Sequence, residues 1–287
     1  MEKSIKKHER KQITLADHFT TGRLLRFVLP SIVMMVFISI YGVVDGLFVS
    51  NVVGKTAFAS INLIMPFLMV FGGIGFMIGT GGSAVVARTL GEGDRERANR
   101  IFSMLIYVTV VVGVIFSAIG IAFLEPIARL LGADDAMMPY CLSYGRWNLI
   151  ALTAFMLQNV FQSFLVTAEK PKIGLAVTVA AGCTNMVLDY LFVAVFRWGV
   201  AGAAVATGLS QCVGGLIPLF WFLSKKNKSN LRFCRTKMEW TPMLRACGNG
   251  ASEMLTSVSA SITGILYNWQ LMKYAGEDGV AAYGVIM

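Results

Sequence analysis

Charged side chains are scarce in this sequence. Only 14% of its 287 residues are Asp, Glu, Lys or Arg, whereas a soluble globular domain carries about 25%. Hydrophobic residues make up 56% of the chain, and they come in long runs that only a lipid bilayer makes favourable. The composition therefore excludes an ordinary soluble protein and indicates an integral membrane protein.

The residue types that build common catalytic and metal sites are also nearly absent. The two histidines, His8 and His18, both precede the first apolar run, and the five cysteines include no CxxC pair. This pattern excludes a disulfide framework and a metal cage. The glycine-rich stretch 71–94 lacks the GK[ST] of a phosphate-binding loop. We therefore expect neither an enzyme nor a bound cofactor.

Apolar runs long enough to cross a bilayer recur along the whole chain. A spanning helix needs about 20 residues, and seven runs reach that length, with an eighth beginning near Gly279. The seven cover residues 25–50, 57–84, 101–124, 138–166, 172–196, 201–224 and 243–272. The sequence predicts an all-α membrane protein, a polytopic helical bundle.

Basic residues are distributed unevenly between the predicted loops. Of the 25 Lys and Arg residues, 20 lie in the N-terminal arm or near the loops that follow the second, fourth and sixth helices. Cytoplasmic segments carry such an excess, so we predict a multi-pass protein of the plasma (inner) membrane with a cytoplasmic N-terminus. The net charge of +9 is then explained by topology, and no nucleic-acid partner is expected.

The polar linkers divide the chain into four parts. We predict a cytoplasmic arm (1–23), a six-helix lobe (24–224), a basic cytoplasmic linker (225–242) and the incomplete start of a second lobe (243–287). Residues 52–65 weakly match residues 274–287 at an offset of 222, and the match places Gly54 on Gly276. Six helices separate the two segments, which predicts a parallel repeat of the kind found in secondary transporters.

Three acidic residues lie within predicted spans: Asp45, Asp189 and Glu253. A charge at the bilayer centre costs about 2.5–3.5 kcal/mol or more, so each acid must be neutral, paired or hydrated. Asn185 lies four residues before Asp189 and therefore on the same helix face. Their oxygens suit Na⁺ or a proton. The alternatives are a neutral acid that bonds a neighbouring helix at Asp189, and simple hydration near an interface at Asp45 and Glu253.

Several segments together resemble the multidrug and toxic compound extrusion (MATE) transporters. They are YGVVDGLFV in the first helix, the glycine-rich second helix with ARTLGEGDRERAN, FQSFLVTAEKPK, NMVLDYLFV and GVAGAAVATGLSQ. The resemblance implies twelve helices in two six-helix lobes around a cleft. It also implies a cation or proton site formed by Asp45, Asn185, Asp189 and Thr207.

The activity that the resemblance implies is multidrug efflux by antiport. Amphipathic organic cations would leave in exchange for H⁺ or Na⁺, with Na⁺ held by Asp45, Asn185 and Asp189. Glu253 is a candidate for a substrate site or a second-lobe site. Such coupling requires only that the ion and the drug prefer different conformations.

The chain departs from the family pattern in its length, since it stops at Met287 inside the predicted eighth helix. We expect an incomplete chain that needs the missing C-terminal lobe for transport, or else a half-transporter that dimerises. Two other functions stay open. A lipid-linked precursor flippase would line its cavity with basic residues, and a seven-helix receptor would place its C-terminal residues in the cytosol.

Overall fold

The computed structural model describes residues 21–224, 227 and 229–286, and this part of the chain is helical except for short loops. Most of the predicted arm thus lies outside the described residues. The helices are α1 (Thr21–Val52), α2 (Lys55–Gly91), α3 (Arg95–Leu130), α4 (Met138–Thr167), α5 (Pro171–Asp189), α6 (Gly199–Leu223) and α7 (Trp240–Ile286). A π-helical segment, Tyr190–Val195, continues α5 without a break.

The predicted all-α membrane fold is confirmed. Among the described residues, five helical segments are long and apolar enough to cross a bilayer: α2, α3, α4, α5 with its π segment, and α6. In α1 the apolar stretch within the described part is shorter, Val28–Ile40. Helix α7 is less apolar because serines and threonines recur between Ser252 and Thr263.

Helices α2 and α3 are longer than the predicted spans, at 37 and 36 residues. Their extra turns are polar. Arg88 pairs with Glu92 one turn later at the end of α2, and the Asp94 carboxylate accepts a hydrogen bond from the Arg97 backbone N–H at the start of α3. Hydropathy marks where the bilayer ends, whereas capping and i,i+4 pairs extend the helices beyond it.

Helix α4 lies at the centre of the first six helices and packs on α2, α3 and α6. Glycines permit the close approach to α2: a Cβ at Gly75 would stand 2.9 Å from the Met156 Cα, and one at Gly79 would stand 3.0 Å from the Val160 Cα. Such small-residue contacts replace the hydrophobic driving force that is missing between helices in lipid.

Helix α7 runs antiparallel to α2 along most of its length. Gly250 faces Met77 near one end of the pair, and Ser257 faces Gly73 further along. Near the other end the Asn268 side chain donates a 2.9 Å hydrogen bond to the Asn62 carbonyl oxygen. The second helix of the chain and the seventh therefore form one continuous seam.

The chain reverses direction within α7 at Gly276. The rings of Tyr267 and Tyr283 stack with centroids 5.4 Å apart, although 16 residues of straight helix span about 24 Å. Residues 277–286 thus run back along the preceding part of α7 and correspond to the predicted eighth helix. This helix begins a few residues before Gly279, where the sequence predicts its start. Gly276 has φ +62°, and Gly54, its predicted repeat partner before α2, has φ +99°. Both glycines adopt the left-handed region that other residues avoid. The division into two lobes stays a prediction.

The segment between α6 and α7, which the sequence predicts as a linker, is folded onto α3. We call residues 229–239 the strap. Leu231 is fully buried, and the Phe233 ring packs on Phe102 of α3 with centroids 5.0 Å apart. The backbone N–H of Cys234 donates to Ser103 Oγ at 3.0 Å. These contacts fix the route by which the chain enters α7.

Replacing Asn227 by alanine is expected to lower the thermal unfolding midpoint in detergent. The buried amide donates to the Leu231 carbonyl oxygen at 2.8 Å and accepts from the Ser229 backbone N–H at 2.8 Å. Its removal takes this acceptor from the Ser229 N–H and leaves the Leu231 carbonyl oxygen with only the Ser229 hydroxyl, at 2.9 Å, which should cost about 0.5–1.5 kcal/mol. The control is Asn230→Ala, because the described residues show no hydrogen bond to the Asn230 side chain. Equal midpoints for both variants would contradict this role.

Candidate functional site

Asp189 is the last residue of α5, at the point where the α-helix changes into the π segment. Its side chain is fully buried (0% exposed). π-helical turns widen a helix by one residue per turn and occur frequently at functional sites. Burying a carboxyl group inside a membrane helix is costly unless it is protonated or held by partners. Asp189 therefore has the position and the burial of a functional acid.

Asn185 lies one turn before Asp189 on the same face of α5, and its side chain is 2% exposed. Its Oδ1 atom has no hydrogen-bond partner among the described residues. A buried amide oxygen without a partner costs about 1–3 kcal/mol, so it points to a ligand, an ion or a water at that atom. Asn185 and Asp189 lie on one face of α5, as their four-residue spacing predicts, and their role as an ion site stays a prediction.

A cavity of about 240 Å³ lies beside this pair, between α2, α4, α5 and α6. Asn185 from α5 and Thr207 from α6 both line it. Asp189 is not among the lining residues and lies one turn further along α5. The structure thus brings two of the predicted site residues to one cavity and places the third next to it.

The cavity wall combines neutral polar groups with apolar side chains. The polar lining residues are Tyr144, Asn148, Gln158, Thr178, Asn185, Thr207, Ser210 and Gln211. The apolar ones include Met65, Met69 and Phe155. Within the described part of the chain, no Lys, Arg, Asp or Glu lines it. Such a wall suits an amphipathic ligand, since it offers polar groups for hydrogen bonds and aromatic rings for packing, and it places no positive charge that would repel a cation.

Two further groups on the cavity wall bear on its chemistry. The Gln211 Oε1 atom is buried and has no hydrogen-bond partner among the described residues. Ser210 donates its hydroxyl to the Thr207 carbonyl oxygen at 2.8 Å, so its own oxygen is oriented by the helix. Together with Asn185, Gln211 gives the cavity two acceptor oxygens for which the described residues supply no donor.

Sequence reasoning missed the contribution of α4. Tyr144, Asn148, Phe155 and Gln158 recur at spacings of three, four and seven residues, so they share one face of the helix. Four amide side chains on an apolar span were the available signal (Asn148, Gln158, Asn159 and Gln162), because amides are costly in lipid without partners. The Gln162 amide does find one, since it donates to Thr178 Oγ1 at 3.3 Å.

Of the two remaining predicted residues, one lies outside the described side chains and the other does not line this cavity. The Asp45 side chain lies outside the described residues, although its helix, α1, packs against α5. Glu253 is exposed on α7 and does not line the cavity. Within residues 21–286, as far as they are described, no three His, Cys, Asp or Glu side chains cluster as metal ligands. The predicted Na⁺ site stays a prediction that rests on Asn185 and Asp189.

The chain matches a family model and curated relatives. Residues 30–191, more than half of the chain, match the MatE family model. The multidrug export protein MepA of Staphylococcus haemolyticus is 25% identical over 262 residues, which cover 91% of this chain and 58% of that protein. MepA of Staphylococcus aureus strain MRSA252 is 23% identical over the same shares. The chain thus spans about 58% of the length of the curated relatives it matches.

Solved transporter structures share the fold. The MATE multidrug transporter DinF-BH, solved as a complex with a bound compound, has a TM-score of 0.88 and 24% identity, covering 96% of this chain and 63% of that one. A MOP superfamily transporter from Pyrococcus furiosus has a TM-score of 0.81 and 24% identity, covering 91% and 57%. That transporter is described as having a binding pocket of reverse polarity, which suggests a different function. At this identity the two structures establish the fold alone.

Proposed function

Because the chain belongs to the MatE family of membrane transporters, we propose that it acts in multidrug efflux, exporting amphipathic organic cations in exchange for H⁺ or Na⁺. The names of the relatives support drug export, since the MepA proteins are multidrug export proteins. We also propose that residues 24–224 form one lobe, that α7 begins a second, and that transport needs both. The basic loops support a cytoplasmic N-terminus.

The observation that carries this proposal is the buried acid beside a neutral cavity. Asp189 is fully buried, Asn185 links it to the cavity along one helix face, and the described cavity lining contains no basic residue. An ionised carboxylate here attracts a cation, whereas a protonated or Na⁺-bound one does not. The site therefore favours either the coupling ion or an organic cation, and such competition would couple the two fluxes in opposite directions.

The packing of the helices around α5 supports a coupling mechanism. Helices α1 and α6 and the π segment pack against α5, so a change of charge at Asp189 alters packing that several helices share. The π segment begins directly after Asp189, and π-helical turns of this kind are frequent at functional sites. We propose that ion binding favours one packing and drug binding the other, which is the thermodynamic requirement for exchange.

Everted membrane vesicles containing the native protein test the proposal. A fluorescent organic cation such as ethidium is supplied with either a pH gradient or a Na⁺ gradient. We expect one gradient to drive accumulation above that of vesicles without the protein, and that gradient identifies the coupling ion. Accumulation that neither gradient changes would contradict antiport.

A lipid-linked precursor flippase is the second candidate, since the Pyrococcus furiosus transporter shares the fold and is described as suggesting a different function. The acidic residue and the absence of basic residues from the described cavity lining favour the drug transporter. Translocation of a fluorescent anionic lipid in the same vesicles, without ethidium transport, would reverse this preference.

A further inference from the structure

A groove of about 490 Å³ lies on the outside of the helical bundle, between α3 and the strap. Its floor includes Tyr107, Val108 and Val111 of α3, and its wall includes Lys237 and Met238 of the strap. Trp240, the first residue of α7, closes one side. The groove is separate from the internal cavity, with which it shares no described lining residue.

The groove opens toward the surface that contacts the bilayer. Tyr107 is 54% exposed and Val111 is 57% exposed, although α3 is one of the membrane-spanning helices. No described element of the protein covers these side chains, so acyl chains are their natural environment. Trp240 is exposed too, and Trp and Tyr concentrate where the hydrocarbon meets the headgroups. The groove therefore crosses from the hydrocarbon into the headgroup layer.

The strap wall of the groove is held in place by its backbone. Arg232 N–H donates to Asn99 Oδ1 at 2.9 Å, and the Cys234 N–H bond to Ser103 follows two residues later. Glu239 N–H then contacts Met104 Sδ at 3.2 Å. These three contacts hold the strap along residues 99–104 of α3, so the groove is a preformed feature rather than a gap beside a loose loop.

Basic side chains flank the headgroup end of the groove. Lys237 lines it directly. Arg100 is exposed and lies one turn before Met104 on the same face of α3, and Arg235 is exposed two residues before Lys237. The acids nearby are Glu239, which is partly buried, and Glu96, one turn before Arg100.

We propose that this groove binds one anionic phospholipid of the cytoplasmic leaflet. Its phosphate would lie between Arg100 and Lys237, and one acyl chain would follow Val108 and Val111. Basic pockets beside membrane-spanning helices bind anionic headgroups in this way. The lipid would cover the contact between the strap and α3, and it would thereby stabilise the segment that leads into α7.

Native mass spectrometry of the purified protein tests this site, with phosphatidylglycerol and phosphatidylcholine of matched acyl chains as probes. We expect one phosphatidylglycerol to be retained in preference to phosphatidylcholine. In the double variant Arg100→Gln, Lys237→Gln its affinity should fall on the order of 10-fold, because each basic residue near the surface contributes to anionic lipid binding. The matched control neutralises Arg95 and Lys172, two exposed basic residues outside the groove.

A second variant tests the groove itself and leaves every charge in place. Val111→Trp fills the floor of the groove with a larger side chain. Because Val111 is exposed toward the lipid and tryptophan is tolerated at such positions, the protein should still fold. We expect it to lose the retained phosphatidylglycerol as well. Equal retention of the two lipids by the native protein, an unchanged affinity in both variants, or an equal loss in the control would each overturn the proposal.

Discussion

Replacing Asp189 by asparagine should reduce export of a fluorescent organic cation by about 5-fold to 150-fold, the range that a coupling free energy of about 1–3 kcal/mol produces. The amide keeps the shape of the side chain, which is fully buried at the junction of α5 and the π segment. It cannot bind a proton or supply a negative charge to Na⁺. The loss should therefore appear in transport, measured in cells at equal expression, and not in folding.

The control for this variant is Asp135→Asn. Asp135 lies in the loop between α3 and α4, and its side chain is 96% exposed, so the same chemical change there should leave export unchanged. Thermal unfolding of both variants separates a folding defect from a transport defect. Export by Asp189→Asn at the native rate would remove this carboxyl group from the mechanism.

Introducing leucine at Gly81 is expected to separate α7 from α2. A Cβ at this position would stand 2.5 Å from the Gly250 backbone nitrogen and closer still to the Ala246 carbonyl oxygen. Backbone atoms cannot rotate away as a side chain can, so the cost should reach or exceed the upper part of the usual range for overpacking, about 1–3 kcal/mol. A lower unfolding midpoint and a lower folded yield by size exclusion are the expected results.

Two further substitutions test whether the loss of stability arises from the contact between α2 and α7. Gly250→Leu should behave like Gly81→Leu, since its Cβ would stand 2.7 Å from the Met77 carbonyl carbon. Gly248→Leu is the matched control, because no described atom lies within 4 Å of a Cβ there and leucine favours a helix over glycine. If Gly248→Leu were as damaging as the other two, the seam would not explain the loss.

The features that follow from local sequence could be predicted. Long apolar runs located the helices, because backbone groups in lipid must bond within their own segment. The burial cost of a carboxyl group singled out Asp189, and four-residue spacing paired it with Asn185. Thr207 came from the family resemblance, and the structure places it on the cavity that Asn185 lines.

Features that depend on contacts between distant segments could not be predicted. The π segment that begins at Tyr190 could not be predicted, because its apolar pattern continues that of α5. A change from i→i+4 to i→i+5 hydrogen bonds leaves the hydropathy of a segment unchanged. The pairing of α2 with α7 rests on glycines such as Gly81 and Gly250, whose partners are about 170 residues away in sequence. The sequence predicts the strap as a polar linker. Its hydrogen bonds to α3 are donated by backbone N–H groups, which leave no signal in the side-chain pattern.

Competition between the coupling ion and the drug through Asp189 is tested most directly by a binding measurement on the purified protein. The affinity for a fluorescent organic cation is determined by anisotropy across a series of pH values and of Na⁺ concentrations, for the native protein and for Asp189→Asn. By thermodynamic linkage, an ion that lowers the affinity for the drug by some factor has its own affinity lowered by the drug by the same factor. We predict that drug affinity in the native protein weakens as either H⁺ or Na⁺ increases, and that Asp189→Asn shows no such dependence. The same dependence in both proteins would contradict competition through Asp189.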